Sequence, residues 1–131
     1  MDDDRLRDLM PLLKTLGAIS SRYTKQEVRA RLHWAPHLCA SGGMLHGGAV
    51  MALADSTGAA YAFLNLPAGA AGTTTIESKT NFLRGVRDGY IEATSRPLHV
   101  ARTVIVVETD ERDQSERFVA RVLQTQLVLG G

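Results

Sequence analysis

The chain holds a single cysteine, Cys39, among 131 residues. That excludes an intrachain disulfide and leaves a reducing compartment open. Net charge is nearly absent as well, at +1. Such a balance gives no electrostatic basis for holding nucleic acid or an anionic membrane surface. Met1 is followed by Asp2, Asp3 and Asp4 instead of basic residues and an apolar block, so the expectation is no secretory leader and a cytoplasmic location. No apolar run reaches the roughly 20 residues of a membrane span, because the best one is interrupted by Asp55. Repeats, low-complexity tracts and interior boundaries are missing too. Residues 1–131 therefore read as one domain, large enough for a useful core. His33, His37, His99 and Cys39 lack metal-ligand spacing, and no metal is expected. There is no Gly-x-Ser-x-Gly elbow. A Ser56–His46–Asp55 triad fails because neighbouring helical residues point about 100° apart.

What is present centres on Leu45–Ala60, LHGGAVMALADSTGAA. His-Gly-Gly leads into a long apolar run, and Asp55 is the one charged residue between Gly47 and Ile76. A lone acid in such a run is costly unless it is paired, hydrated or used. The run lacks period-2 alternation and is rich in Ala, Leu and Met. It predicts a helix from about Gly48 to Leu64, buried on all sides. Its N-terminus offers unpaired backbone N–H groups and the positive end of the macrodipole, and two glycines allow close approach there. Asp55 follows Gly48 by seven residues, about 10 Å along the axis at 1.5 Å per residue. One reacting carbonyl needs donor and base both at about 3 Å. If the two features cooperate, a second, antiparallel copy must supply one of them, which points to a two-fold dimer with sites at its interface.

Before this helix, residues 2–16 show helical spacing of Leu6, Leu9, Met10, Leu13 and Leu16, with Pro11 as a kink or break and Gly17 as a stop. Residues 18–34 alternate loosely and predict a strand or hairpin ending at Pro36. Residues 36–47 read as loop, with a turn at Gly42-Gly43. After the helix, 65–72 is small and turn-rich. Strands are expected at 73–83, 89–100, 102–110 and 117–129. Pro97 favours an edge or a bulge, and the polar stretch Glu111–Glu116 joins the last two strands as a hairpin loop. One helix wrapped by an antiparallel sheet is an α+β layout, and a sheet of this size leaves a face or edge for a second subunit.

LHGGAVMALADSTG, followed by TTTIESKTNFLRGVRDG and by FVARVLQTQLVL, resembles the hotdog-fold acyl-CoA thioesterases, in particular the phenylacetate-degradation and 4-hydroxybenzoyl-CoA thioesterase type. The resemblance covers roughly residues 16–129. It implies a long central helix wrapped by a curved antiparallel sheet. It also implies homodimers that pair into homotetramers, with the acyl-CoA bound at the dimer interface. Asp55 falls at the position of the family's general base or nucleophile. The Gly47 N–H falls at that of the donor to the thioester carbonyl, with Gly48 beside it. A hydroxyl opening the next strand is Thr75, or Thr74, with Thr75 preferred by its distance from Asn81-Phe82. One departure stands out. Many members carry Asn or Gln six residues before the motif His to orient water or acid, whereas this chain has Ala40, with Ser41 as a substitute.

Each residue also has a plainer role. Asp55 in an apolar helix could be a paired structural acid, and the glycines could serve helix–sheet packing. His46 is a candidate for catalysis, but a side-chain hydrogen bond fixing the first helical turn is the stronger reading. Arg84, Arg87 and Arg102 could hold coenzyme A phosphates, or be solvated strand ends. Met51, Leu53, Tyr61 and Phe63 hint at an apolar acyl site. No cofactor is implied beyond the coenzyme A of the substrate. The competing classes are a non-catalytic acyl-CoA or fatty-acid binder and a hotdog hydratase, whose Asp-His motif is not seen.

Overall fold

The computed structural model describes residues 5–130. The N-terminal segment forms two short helices, α1 (Arg5–Leu9) and α2 (Pro11–Leu16). Pro11 is the divider. It opens α2 as its first residue, where a missing N–H costs nothing. Gly17 closes α2 in the left-handed conformation, φ 83°, and its N–H reaches the Leu13 and Lys14 carbonyls. Leu6 and Leu13 are fully buried, packing the pair against the rest of the core. Residues 2–4 of the expected helix lie outside the described residues.

Next come β1 (Ile19–Tyr23) and β2 (Val28–His33), so 18–34 is a hairpin, not one strand. The 36–47 segment holds a 3-10 turn at Pro36–Leu38 and a bridge from Cys39 to Leu45. The central helix α3 spans Gly47–Leu64. It is followed by β3 (Ala70–Phe82), β4 (Tyr90–Val100), β5 (Val104–Asp113) and β6 (Phe118–Gly130). All six strands make one antiparallel sheet in the order β1-β2-β4-β5-β6-β3. This helix-and-sheet arrangement is the hotdog layout expected from the resemblance.

Alternation decides which face meets α3. Val28, Ala30 and Leu32 of β2, Ile91 and Ala93 of β4, Ile105 and Val107 of β5, and Ala120 and Val122 of β6 are all buried. From α3, Val50, Leu53, Ala54, Ala60, Tyr61 and Ala62 pack against them. Thr57 of α3 bonds back to the Leu53 carbonyl and receives the Ser95 hydroxyl, which also pairs with Thr109. These buried hydroxyls are thus satisfied.

Several boundaries differ from expectation. β3 begins at Ala70, inside the turn-rich 65–72 segment, because Ala70–Gly72 pair with the end of β6. β5 runs on to Asp113, so the hairpin loop is 114–117 and not Glu111–Glu116. Glu111 and Asp113 continue the inward row of β5, and their charge disguised it. Pro97 lies on an interior strand, at a bulge between Pro97 and His99. β2 pairs with β4 only as far as Ser95, so no neighbour requires the Pro97 N–H. The largest difference concerns α3, which is not buried on all sides. Gly48, Met51, Asp55 and Phe63 form an exposed stripe at helical spacing. Small residues around Asp55 leave that side flat, and none of the described residues covers it.

Glu111 is fully buried with both carboxylate oxygens unpartnered. Burial drives its carboxyl well above the ordinary range. A carboxyl raised on folding binds a proton in the native state that the unfolded chain has lost. Stability therefore falls as pH rises from the ordinary glutamate value toward the folded one. Glu111→Leu is expected to raise stability by about 1–3 kcal/mol. The gain should be larger at pH 8 than at pH 5 in denaturant melts.

Candidate active site

The first turn of α3 is closed by its own cap. His46 is the N-cap residue, and its Nδ1 accepts the Gly48 N–H at 2.7 Å. The Ala49 and Val50 N–H groups both go to the His46 carbonyl. Among the described hydrogen bonds, the Gly47 N–H alone of this turn is unclaimed. It sits at the positive end of an 18-residue helix. His46 therefore does what its plainer reading says, and the cap uses one of its two ring nitrogens. A Cβ on Gly48 would press on the His46 ring at 2.9 Å, and one on Gly47 would meet Phe82 at 3.3 Å. The glycines thus fit both packing and access.

Two grooves flank this turn. One, of about 440 Å³, is lined by Gly47, Ala40, Met44, Phe82, Arg84 and Val86, among others. The second, of about 350 Å³, runs between α2 and α3 past Leu12, Leu16, Cys39, His46, Gly48 and Ala52. A smaller cleft of about 170 Å³ on the outer face of the sheet is lined by Arg29, Glu92, Arg96 and Asp110. It is a lattice of ion pairs, with Arg29 on Glu27 and Glu92 and Arg96 on Glu27, and Asp55 does not border it.

Asp55 lies on the open stripe of α3, with its back against the sheet. Gln124 Nε2 donates one hydrogen to Asp55 Oδ1 at 2.9 Å and shares the other between the Asp55 carbonyl and Thr75 Oγ1, each at 3.2 Å. Gln126 Nε2 donates to the same Thr75 oxygen. Partial burial pushes the Asp55 carboxyl up, and the Thr75 hydroxyl beside it pulls the other way. The result is a raised carboxyl with one face toward solvent, the environment of a general base.

Sequence reasoning chose Asp55, Gly47 and Thr75, and the structure brings Asp55 and Thr75 together. It parts Thr74 from them. Thr75 pairs with the inward Gln126, whereas Thr74 pairs with the outward Leu127 and faces away from α3. Ser41 is exposed in the turn before the helix, while Ala40 lines the Gly47 groove. Arg84 borders that groove, Arg87 is tied to the Gly42 carbonyl, and Arg102 sits at the other end of the sheet. Arg84 adjoins Val119 and Thr103 adjoins Val128 on β6, nine residues or about 30 Å apart at 3.3 Å each. Within one chain, Arg84 and Arg102 cannot clasp one phosphate. Of the apolar candidates, Leu53 and Tyr61 belong to the core, and Met51 and Phe63 lie on the open stripe. Gln124 and Gln126 were missed. Their signal was two amides in the otherwise apolar inward row Val122, Gln124, Gln126, Val128 of β6.

Gly47 and Asp55 are eight residues apart on one helix, about 12 Å at 1.5 Å per residue. Gly47 sits at the level of Phe82 and Asp55 at that of Thr75. One chain therefore holds the two halves of a site without closing it.

Residues 42–120 match the model of the thioesterase superfamily. The chain belongs to this superfamily. Among solved structures, a Haemophilus influenzae thioesterase is similar at 25% identity, with TM-score 0.86 over 95% of this chain and 90% of that one. A thioesterase family protein from Silicibacter pomeroyi is similar at 26%, with TM-score 0.85 over 98% of each chain. Among sequence relatives, the candidate esterase ComA2 of Bacillus subtilis is 34% identical over 77 residues, which are 59% of this chain and 61% of that relative. The chain thus spans less than two thirds of ComA2. No helix among the described residues is long and apolar enough to cross a membrane.

Proposed function

We propose that this chain hydrolyses acyl-CoA thioesters to a carboxylic acid and free coenzyme A, at sites shared between two copies. The observation that carries this reading is the open stripe of α3, which starts at an unclaimed amide donor and holds one buttressed carboxylate two turns on. β3 is an edge strand, and its exposed stretch runs 76–82 with only Thr80 partly covered. Antiparallel pairing with a second β3 about Ser78 would set Glu77 of each copy opposite Lys79 of the other. The same operation sets Phe82 opposite Thr74, one residue from Thr75. The Gly47 amide of one copy then lies beside Asp55 of the other.

At such a site the Gly47 N–H and the α3 dipole stabilise the oxyanion as water adds to the thioester carbonyl. Asp55 accepts the proton of that water. The tetrahedral species then expels coenzyme A thiolate, which takes the proton back from Asp55, leaving acid and thiol. Direct attack by Asp55 through an acyl anhydride is the variant of the same scheme. Arg84 borders the Gly47 groove and is placed to meet coenzyme A phosphate. No further cofactor is needed. The finer assignment, a phenylacetate-degradation or 4-hydroxybenzoyl-CoA type enzyme acting in the cytoplasm as a homotetramer, rests on the motif resemblance. Ala40 favours one alternative, a non-catalytic acyl-CoA or fatty-acid binder, since it removes an amide that relatives use.

The test is release of free thiol from a panel of aliphatic and aromatic acyl-CoAs. Turnover of at least one acyl-CoA well above its spontaneous rate is expected. Tight binding without turnover of any member would replace hydrolysis with the binder reading.

A further inference from the structure

We infer that Gln124 and Gln126 are a positioning pair for the proposed hydrolysis, together turning the Thr75 hydroxyl onto Asp55 and fixing that carboxylate against α3. The inference rests on the reading of Asp55 as the reactive acid.

A threonine oxygen has two lone pairs and one hydrogen. Gln126 Nε2 donates to Thr75 Oγ1, and the second Gln124 Nε2 hydrogen is shared between that oxygen and the Asp55 carbonyl, so both lone pairs face donors. The hydroxyl hydrogen is all that Thr75 has left, and the acceptor beside it is Asp55. Gln124 also holds Asp55 directly, at Oδ1 and at the backbone carbonyl. Gly58 makes room for this, because a Cβ there would overlap Gln124 Oε1.

Stability alone does not account for the two amides. Both Oε1 atoms are buried without a partner, and an orphaned buried acceptor costs about 1–3 kcal/mol. Leucine at either place would complete the apolar row of Val122 and Val128. With Ala40 at the entry loop, orientation of the acid comes from β6 beneath it.

Other charges stand apart from Asp55. On β3, Glu77 and Lys79 pair with Thr125 and Leu123 on the outer face. On β6, Arg121 is bound to Asp110 and Glu108 there. Glu111 of β5 lies at the level of Ala120 and Phe82, near the start of α3. Asp55 is the one charged residue of α3. In the shared site, His46 of the second copy is the titratable group that approaches.

The test is a ¹³C titration of the Asp55 carboxyl in the intact oligomer, in wild type, Gln124→Leu, Gln126→Leu, Thr75→Val and Thr75→Ser, with melting curves for each. The expected result is a midpoint raised by on the order of one pH unit, a tenfold change in proton affinity, in the first three variants. Thr75→Ser keeps its hydroxyl and should titrate like wild type. The leucine variants should melt no lower than wild type, which a purely structural role does not allow. Adding Gln126→Leu to Thr75→Val should add little, since the amide acts through the hydroxyl. Where turnover is measured, kcat falls about tenfold at neutral pH with KM within about twofold. Gln126→Met serves if a leucine variant does not fold. An unmoved Asp55 titration in folded variants overturns the inference, as does a full Gln126→Leu effect in the Thr75→Val background. The titration needs no substrate. Failure of the thioesterase reading would appear as absent turnover, and failure of this inference as an unmoved carboxyl.

Discussion

Asp55→Asn is expected to lower kcat for acyl-CoA hydrolysis by about 10²–10⁴-fold, with KM changed little. The substitution keeps size and shape. The Asn carbonyl can still accept the Gln124 amide that now reaches Asp55 Oδ1, so the first casualty is proton transfer and not packing. Stability moves the other way. Burial raises the Asp55 carboxyl, so folding favours its protonated form. The charged acid is a net cost to the native state at pH values above its unfolded value, and that cost appears as pH rises through the folded one. Asn has no charge to desolvate, and the variant should melt at or above wild type at neutral pH. A dead and stable protein separates chemistry from folding. In wild type, the same raised carboxyl should place the acid limb of kcat/KM above the ordinary aspartate value. Normal rates in the Asn variant would remove Asp55 from the mechanism.

The second large effect is expected at Gly47. Gly47→Pro deletes one backbone N–H and little else. Proline suits the first helical position. His46 already has ψ 135°, the extended conformation that a residue before proline adopts. The His46 cap uses the Gly48 amide and stays intact. The new ring meets Phe82, an exposed side chain with room to turn. Loss of one oxyanion donor costs about 10²–10³ in turnover. Gly47→Ala is the control, because it adds the same Cβ and keeps the N–H. Its rate should fall far less. Equal losses in Pro and Ala would mean that crowding against Phe82, not the amide, is what matters.

Much of this was legible in the sequence because it is local. The helix carrying Asp55, its glycine start and Pro11 as a break all follow from spacing and backbone chemistry. So did the odd pairing of donor and base on one helix too far apart to cooperate. Residues whose meaning depends on partners were harder. Glu111 and Asp113 looked like loop because charge usually marks solvent, yet β5 carries them inward. Thr74 and Thr75 were nearly equivalent as letters, and one register decided that only Thr75 faces the helix. Gln124 and Gln126 read as ordinary strand polar residues until β3 and α3 were seen above them. The open stripe on α3 escaped notice because an apolar helix looks buried, and a side reserved for a second copy is apolar too.

The proposed mechanism takes the amide of each site from one copy and its acid from another. It is tested most directly by co-expressing differently tagged Asp55→Asn and Gly47→Pro chains and purifying the mixed species through both tags. Each parent alone should be nearly inactive. The mixed two-chain species holds one intact site, with Gly47 from the first chain and Asp55 from the second, and should recover about half of wild-type turnover. A mixed species as dead as its parents, though folded and paired, would place both groups in a single chain's site and contradict the shared-site account.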